Sequence, residues 1–225
     1  MSRALTLFDL DHTLLDGDSD VLWVEFLMMQ GVLDRDVFGP RNRHMEQSYR
    51  AGLVSAHEFC EFYVASLAGR SREGWGALRR AYFESSIMPR IGKAAQALVA
   101  RHRSAGDLVV LTTATNRFLT ELTAPFLGIE HLIATECEIG ADACFTGRIA
   151  GTLNMREGKV IRLHDWLAAR HLALPDLSAT LYSDSINDLP LFEAVQHAVV
   201  VDPDERMAAR ARTRGWPILS LRGTS

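Results

Sequence analysis

Aspartates crowd the loop that follows the first apolar stretch of the chain. In the run LTLFDLDHTLLDGDSD, Asp9 and Asp11 lie two residues apart, and three further aspartates follow by residue 20. Carboxylates this close repel one another, so they need either full exposure to water or a cation among them. A solvated loop and a metal site therefore both remain open at this point of the sequence.

Further polar residues follow other apolar stretches or begin a helix. Thr112 and Thr113 come directly after LVVL, and Asp184 and Asp188 lie in SDSIND. Lys159, in REGKV, begins the helical pattern that precedes this last group. If these residues meet, the oxygen ligands suit Mg²⁺, and the metal and the lysine together suit an anion.

The order of apolar and helical segments indicates that they do meet. Apolar stretches predict strands at Leu5–Phe8, Leu108–Leu111, Leu132–Ala134, Thr180–Tyr182 and Ala198–Val201, with a short further strand in WPILSL. Helical patterns lie between most of them, for example at Ile91–His102, Phe118–Leu127 and Lys159–Arg170. This alternation predicts an α/β fold, a doubly wound parallel sheet with right-handed crossovers. The carboxyl ends of its strands share one edge, where ligands bind.

A long helical stretch interrupts the alternation between residues 8 and 91. Its patterns predict helices at Val21–Gln30, Val37–Tyr49, Ser55–Leu67 and Arg72–Glu84. Ser55 and Glu58 form a predicted capping box, and Trp23 and Phe26 are interpreted as core residues. We therefore predict a core of residues 1–15 and 89–225 and a helical cap of residues 16–88, a candidate lid above the strand ends.

The four groups together resemble the motifs of a known family. DLDHT at 9–13, the apolar run ending in Thr112, Lys159, and SDSIND at 183–188 resemble those of the haloacid dehalogenase superfamily of phosphohydrolases. The resemblance spans residues 5 to about 201. The helical insert after the first motif is similar to the cap of subfamily IB, the phosphoserine phosphatase-like branch. The resemblance implies a Rossmann-like core with an inserted helical cap.

The resemblance also implies catalytic roles. Asp9 looks like the nucleophile that takes the phosphoryl group, because a carboxylate is deprotonated at neutral pH and needs no activating base. Asp11 looks like the general acid and base. The Thr112 hydroxyl and the backbone N–H of Thr113 would hold the phosphoryl oxygens, and Lys159 would neutralise their charge.

The family's Mg²⁺ site is expected at the same strand ends. Asp184 resembles the metal-ligating aspartate, together with the Asp9 carboxylate and the backbone carbonyl of Asp11. Asp188 would hold a metal-bound water or orient Lys159. Asn187 corresponds to a position that often reaches phosphate or substrate. The expected reaction is Mg²⁺-dependent hydrolysis of a small phosphomonoester through an aspartyl phosphate.

The expected substrate follows from two positions in the cap. Phosphoserine phosphatases hold the amino acid with an acidic residue, which falls here on Asp18, and with an arginine, which falls here on Gly52. Arg50 lies two residues earlier, a shift that turns a helical side chain well away from the original direction. Asp18 or Asp20 still suits an amine. We therefore expect histidinol phosphate or another amino-alcohol phosphate, and disfavour phosphoserine.

Composition bears on partners and location. The chain carries 24 Lys and Arg against 28 Asp and Glu, a net charge of −4, which argues against a nucleic-acid partner. Three cysteines without CxxC spacing favour reduced thiols and the cytoplasm. No apolar run reaches about 18 residues, so no membrane association is expected. A monomer and a homodimer remain open.

Three alternatives remain beside the phosphatase. A phosphotransferase or mutase of the same superfamily would keep Asp9 and Asp11 but exclude water. A non-catalytic regulator that binds a phosphorylated metabolite would have no need of both aspartates. A signalling receiver also phosphorylates an aspartate beside Mg²⁺, but it has no helical insert after its first strand.

Overall fold

Seven strands form one sheet in the computed structural model, which describes residues 3–222. In chain order they are β1 (Arg3–Phe8), β2 (Leu108–Asn116), β3 (His131–Ile139), β4 (Phe145–Ala150), β5 (Leu177–Ser183), β6 (His197–Val201) and β7 (Ile218–Leu219). Their spatial order is β4-β3-β2-β1-β5-β6-β7, and all neighbouring pairs are parallel except β3 with β4. The predicted doubly wound α/β fold is confirmed, with β1 at the centre of the sheet.

Ten α-helices accompany the sheet among the described residues. Four lie between β1 and β2 before the first core helix: α1 (Ser19–Met29), α2 (Arg35–Arg50), α3 (Ala56–Val64) and α4 (Arg72–Tyr82). The others are α5 (Lys93–Ser104), α6 (Arg117–Thr120), α7 (Thr123–Phe126), α8 (Glu157–Ala168), α9 (Leu189–Ala194) and α10 (Glu205–Arg214). The first four correspond to the predicted helical insert.

The sheet is covered by apolar side chains on both faces. Leu5 and Leu7 of β1 pack in one hydrophobic cluster with residues of α8, α9 and α10, whereas Phe8 packs in another with residues of α5, α6 and α7. The second cluster also contains Trp23 and Phe26 of α1. The interpretation of these two aromatics as core residues is therefore confirmed, and the insert is joined to the sheet through shared apolar packing.

Hydrogen bonds at the helix starts explain how the insert is built. Asp18 caps α1, accepting from the backbone N–H of Asp20 and of Val21. The predicted capping box of α3 is confirmed, with both reciprocal bonds between Ser55 and Glu58 present. These caps satisfy amides that have no partner inside the helix. The chain therefore turns from the acidic loop directly into α1. The division into a core and a cap with the predicted boundaries stays a prediction.

Two local features differ from the sequence-based predictions. The strand β4 was not predicted; it pairs antiparallel with β3, and its first residue, Phe145, exchanges backbone bonds with Gly69 and Arg70 of the insert. The predicted helix Phe118–Leu127 is divided into α6 and α7. Pro125 explains this break, because proline has no N–H to donate to the preceding turn. Among residues 3–222, none of the helices combines the length and apolarity needed to cross a membrane.

Candidate active site

Asp9 lies at the end of the central strand. Its backbone N–H donates to the carbonyl of Tyr182 at 2.9 Å, which extends the parallel pairing of β1 with β5 by one residue. The Asp9 carboxylate is buried, and its Oδ1 lies 2.7 Å from Nζ of Lys159. The same Nζ lies 2.7 Å from Oδ2 of Asp188. One buried ammonium thus bridges two carboxylates from different strand ends.

The start of α8 places Lys159 in this position. Gly158 lies so close to the preceding turn that a Cβ on it would be 1.9 Å from the carbonyl oxygen of Leu153. Arg156 has φ 52° and ψ −126°, a conformation that non-glycine residues rarely adopt. This tight turn directs the first residues of α8 toward the strand ends. A glycine therefore precedes Lys159 because a side chain at position 158 would collide with the preceding turn.

Thr13 connects the first and last motifs. Its hydroxyl donates to Oδ1 of Asp184 at 2.8 Å, lies 3.4 Å from Oδ2 of Asp9, and accepts from the backbone N–H of Asp184 at 2.9 Å. Asp188 accepts a bond from the Ser183 hydroxyl at 2.7 Å. The Asp9 and Asp184 carboxylates thus lie on either side of one threonine. The sequence analysis did not single out Thr13, although it stands in the DLDHT motif.

Asp11 is held on the other side of the loop. Its Oδ1 accepts from the backbone N–H of Ser19 at 2.7 Å, and its Oδ2 accepts from the Thr115 hydroxyl at 2.7 Å. The Thr113 hydroxyl is 3.4 Å from the same oxygen. Asp11 and Thr115 both line the cleft. The Asp11 side chain is therefore held at the cleft by bonds from Ser19 and Thr115.

Thr112 is placed differently from the other predicted catalytic residues. It is buried, does not line the cleft, and its hydroxyl accepts from Nδ2 of Asn154 at 3.1 Å. Asn154 also bonds the carbonyls of Thr113 and Ile133, at 2.8 and 3.0 Å. Ala114 and Thr115 line the cleft instead. A direct role for Thr112 at the phosphate stays a prediction, as does the role of the Thr113 N–H.

A cleft with a cavity volume of about 90 Å³ has two chemically distinct ends. The phosphate end is formed by Asp9, Lys159, Asp184 and Asp188. The insert end is formed by Asp18, Asp20, Tyr49, Phe59 and Cys60. The Tyr49 and Phe59 rings stack with their centroids 4.1 Å apart. Of the described residues that line the cleft, Lys159 is the only Lys or Arg.

Asp18, predicted to bind substrate, lies at the insert end. Both bonds from its helix-capping role use Oδ1, so Oδ2 takes no part in the cap. Asp20 is buried beside it and accepts from Nδ2 of Asn116 at 3.2 Å. Asn187, also predicted to bind substrate, lines the cleft where its Nδ2 donates to the Tyr49 hydroxyl at 2.7 Å. Asp20, the predicted alternative to Asp18 for meeting an amine, also lines this end, whereas Tyr49 was not predicted to do so.

The carboxylates of the cleft are buried close to one another, which raises several of their pKa values. Burial raises the pKa of Asp9 to about 7, and the charges of Asp188 and Asp11 add to the rise while Lys159 opposes it. Burial, with the charge of Asp11, also raises the pKa of Asp18 to about 7. Burial and the charge of Asp9 raise the pKa of Asp184 well above its usual value. A divalent cation would relieve this repulsion.

The phosphate end fits Mg²⁺. Asp9 and Asp184 supply two buried or half-buried carboxylates, and Mg²⁺ is commonly held by one or two carboxylates with water and phosphate oxygens completing its shell. Within residues 3–222, no three His, Cys, Asp or Glu side chains gather in a metal-binding arrangement. The Asp11 carboxylate bonds Ser19 and Thr115, so Asp11 would contribute its backbone carbonyl to a metal held by Asp9 and Asp184.

This arrangement suits phosphoryl transfer. A carboxylate beside an ammonium is placed to attack phosphorus, and a second carboxylate two residues on is placed to exchange a proton. Catalysis of this reaction depends mainly on positioning and on stabilising charge, which the buried Lys159 supplies. The residues of this arrangement come from three places: Asp9 and Asp11 follow β1, Lys159 lies at the start of α8, and Asp184 and Asp188 follow β5.

Comparisons with known proteins identify the family of the chain. A family model described as haloacid dehalogenase-like hydrolase matches residues 6–193. A relative named histidinol-phosphatase, from Neisseria meningitidis serogroup C, is 36% identical over 98% of this chain and 100% of its own length. A relative named phosphoserine phosphatase, from Mycobacterium tuberculosis, is 31% identical over 97% of this chain and 71% of its own length.

Solved structures share the fold. A protein of unknown function from Bordetella pertussis Tohama I superimposes with a TM-score of 0.94 at 41% identity, covering 99% of this chain and 100% of that one. A phosphoserine phosphatase in a phospho-aspartyl intermediate analogue form gives a TM-score of 0.69 at 14% identity, covering 99% and 95% of the two chains. The chain belongs to the haloacid dehalogenase-like hydrolases and is a phosphatase of that family.

Proposed function

We propose that this phosphatase hydrolyses the phosphate monoester of a small amino alcohol, with histidinol phosphate as the first candidate. The observation that carries the proposal is the two-ended cleft. Its phosphate end holds a lysine between two carboxylates, and its insert end holds two acidic side chains beside a stacked aromatic pair. The 36% identity to a histidinol-phosphatase along the whole of both chains supports the same choice.

In the first step Asp9 attacks the phosphorus of the substrate. A bond forms between a carboxylate oxygen of Asp9 and phosphorus, while the bond between phosphorus and the alcohol oxygen breaks. Asp11 gives its proton to the departing oxygen, which leaves as the neutral alcohol. Lys159 neutralises the charge of Asp9 and of the phosphoryl oxygens throughout, because its ammonium lies 2.7 Å from Asp9.

In the second step a water molecule hydrolyses the aspartyl phosphate. Asp11, now a carboxylate, takes a proton from the water as the water oxygen bonds phosphorus. The bond between phosphorus and Asp9 breaks, which releases inorganic phosphate and restores the Asp9 carboxylate. Mg²⁺ held by Asp9, Asp184 and the carbonyl of Asp11 would supply charge neutralisation for the phosphoryl group. Asp188 orients Lys159 from the opposite side of Asp9.

The insert end accounts for the substrate class. An amine placed there would meet Asp18 and Asp20, whose pKa values are raised by burial and by the charges of neighbouring carboxylates. The stacked Tyr49 and Phe59 suit a flat ring such as an imidazole. A substrate carboxylate would have no Lys or Arg partner at this end of the described cleft. Phosphoserine is for this reason the second candidate.

The remaining expectations on partners and location accompany this proposal. The partner is a small phosphomonoester, with no nucleic acid and no membrane involved, and the protein works in the cytoplasm as a monomer or a homodimer. The net charge of −4 and the three cysteines without CxxC spacing favour these expectations.

Phosphate release from a panel of phosphomonoesters tests the proposal. The panel contains histidinol phosphate, phosphoserine, phosphoethanolamine, glycerol phosphate and a sugar phosphate, each with Mg²⁺ or with EDTA. We expect the highest kcat/KM for histidinol phosphate, dependence on Mg²⁺, and loss of turnover in Asp9→Asn. Mass spectrometry after rapid acid quench should find phosphate on Asp9 in the wild type.

Three outcomes would contradict the proposal. A higher kcat/KM for phosphoserine than for every amino-alcohol phosphate would show that the insert end does not select a cation. Transfer of the phosphoryl group to added glycerol in place of phosphate release would identify a phosphotransferase of the same superfamily. Turnover that survives Asp9→Asn would exclude the aspartyl phosphate.

A further inference from the structure

Three residues from three parts of the chain are joined by hydrogen bonds at the mouth of the cleft. The Tyr49 hydroxyl, on α2 of the insert, accepts from Nδ2 of Asn187 at 2.7 Å. Oδ1 of the same Asn187 accepts from Nε of Arg156 at 3.1 Å. This Tyr49–Asn187–Arg156 chain links the insert, the loop after β5 and the turn before α8.

Both hydrogen-bonding atoms of the Asn187 side chain are used in this chain. A terminal amide has a carbonyl oxygen and an NH₂ group, so its orientation depends on which partners lie on either side. Arg156 can only donate, and it therefore selects the oxygen of Asn187 and turns the NH₂ group toward Tyr49. Arg156 acts on the insert through Asn187 without lining the cleft itself.

The strained backbone conformation of Arg156 indicates that the surrounding residues hold it in place. Its φ of 52° with ψ of −126° falls in a region that favours glycine, so an arginine there is strained. Such strain persists only where the surroundings hold the residue in place. Lys159 follows three residues later, so the same turn positions the arginine outside the cleft and the lysine inside it.

The aromatic ring of Tyr49 connects the Tyr49–Asn187–Arg156 hydrogen bonds to the insert end of the cleft. Tyr49 stacks on Phe59 at 4.1 Å and forms part of the insert end. Its hydroxyl also lies 3.5 Å from the sulfur of Met155, the residue before Arg156. The position of the aromatic pair over the cleft thus depends on contacts with the turn before α8.

We propose that Arg156 is a positioning residue that, through the amide of Asn187, holds Tyr49 over the cleft and so increases affinity for the part of the substrate beyond the phosphate. This inference rests on the proposed function, because it concerns the substrate of the same site. It assigns to an exposed side chain outside the cleft a share of the specificity.

Steady-state kinetics of three variants tests whether the Tyr49–Asn187–Arg156 hydrogen bonds increase affinity for the substrate. Arg156→Gly removes the side chain and suits the backbone conformation, and Tyr49→Phe removes the hydroxyl but keeps the ring on Phe59. Each should raise KM for histidinol phosphate about threefold to tenfold, the effect of one hydrogen bond, with kcat within about twofold. The double variant should raise KM no further than either single variant. Arg148→Ala, an exposed arginine paired with Glu138, is the control and should change neither constant.

Additive effects in the double variant, or a fall in kcat with KM unchanged, would overturn the proposal. A double-mutant cycle on thermal unfolding without substrate separates this failure from failure of the proposed function. If the wild type hydrolyses no phosphomonoester, the proposed function fails. If the losses of thermal stability in the two single variants do not add in the double variant, the Tyr49–Asn187–Arg156 hydrogen bonds still link the insert to the core. If they add, the proposal is overturned.

Discussion

The two ends of the cleft are held together in different ways. At the phosphate end, Lys159 bridges Asp9 and Asp188, and Thr13 joins Asp9 to Asp184, so every carboxylate is bonded by a residue from another part of the sequence. At the insert end, the aromatic rings pack on each other, and the hydrogen bond from Asn187 to Tyr49 is a direct polar link to the core.

The difference corresponds to the two tasks of the protein. Phosphoryl transfer tolerates little displacement of the nucleophile or the cation beside it, and buried, cross-bonded side chains provide that precision. Substrate choice needs a surface that can vary between relatives without disturbing the chemistry. An inserted set of helices with its own apolar cluster, around Val21, Val24 and Tyr63, provides such a surface.

The largest expected effect comes from removing the proposed proton donor, Asp11, beside the phosphate end. Asp11→Asn keeps the shape of the side chain but cannot exchange a proton with the leaving oxygen, so kcat should fall about 10²- to 10⁴-fold. Phosphate release under saturating substrate measures this. Asp16→Asn, in the same loop but with a side chain 71% exposed, should leave kcat within about twofold. An equal loss in both variants would mean that the loop, rather than the acid, is responsible.

Displacing Lys159 without changing it should have the next largest effect. Gly158→Ala would bring a Cβ to 1.9 Å from the Leu153 carbonyl oxygen, so the turn must move. We expect roughly 1–3 kcal/mol of destabilisation, typical of overpacking, with a loss of kcat. Thermal unfolding and phosphate release measure the two effects. Gly76→Ala on α4, where a Cβ meets only the end of Arg80 at 4.0 Å, should not destabilise the protein. Unchanged stability and kcat in Gly158→Ala would contradict the steric argument.

The phosphate end was more predictable from the sequence than the insert end. Asp9, Asp184 and Asp188 each follow a recognisable strand, and a parallel sheet brings such positions to one edge. Lys159 was predicted from the same motif pattern. The placement of Thr112 was not predictable, because its partner Asn154 lies in a turn after the unpredicted strand β4.

The insert end depends on information that local patterns do not carry. Helical periodicity predicted α1 to α4, but which side chains face the cleft depends on how the helices pack against one another. Trp23 and Phe26 on α1 were interpreted correctly as core, whereas Tyr49 and Phe59, on α2 and α3, were not predicted to reach the cleft. Their register relative to the acidic loop is a long-range property.

Charge at the insert end can be changed without breaking its helix. Asp18→Asn keeps the cap of α1, because asparagine caps as well as aspartate, but it removes one negative charge from the cleft. KM for histidinol phosphate should rise about tenfold, the effect of a charged hydrogen bond, while KM for glycerol phosphate should not rise. Asp34→Asn, which caps α2 at an exposed position, is the matched control. An equal rise for both substrates would contradict selection of a cation.

The smallest expected effect is a pH-dependent change in stability, with and without Mg²⁺. Burial raises the pKa values of Asp9 and Asp18 to about 7, so the folded protein keeps protons that the unfolded chain releases near pH 4. The free energy of unfolding without metal should therefore fall as pH rises from about 4 to about 7 and then level off. Mg²⁺ removes the repulsion at Asp9 and Asp184 but not at Asp18. It should raise Tm by a few degrees more at pH 8 than at pH 5.5, whereas NaCl of equal ionic strength should not. An equal rise at both pH values would show that the metal does not bind among the carboxylates of the phosphate end.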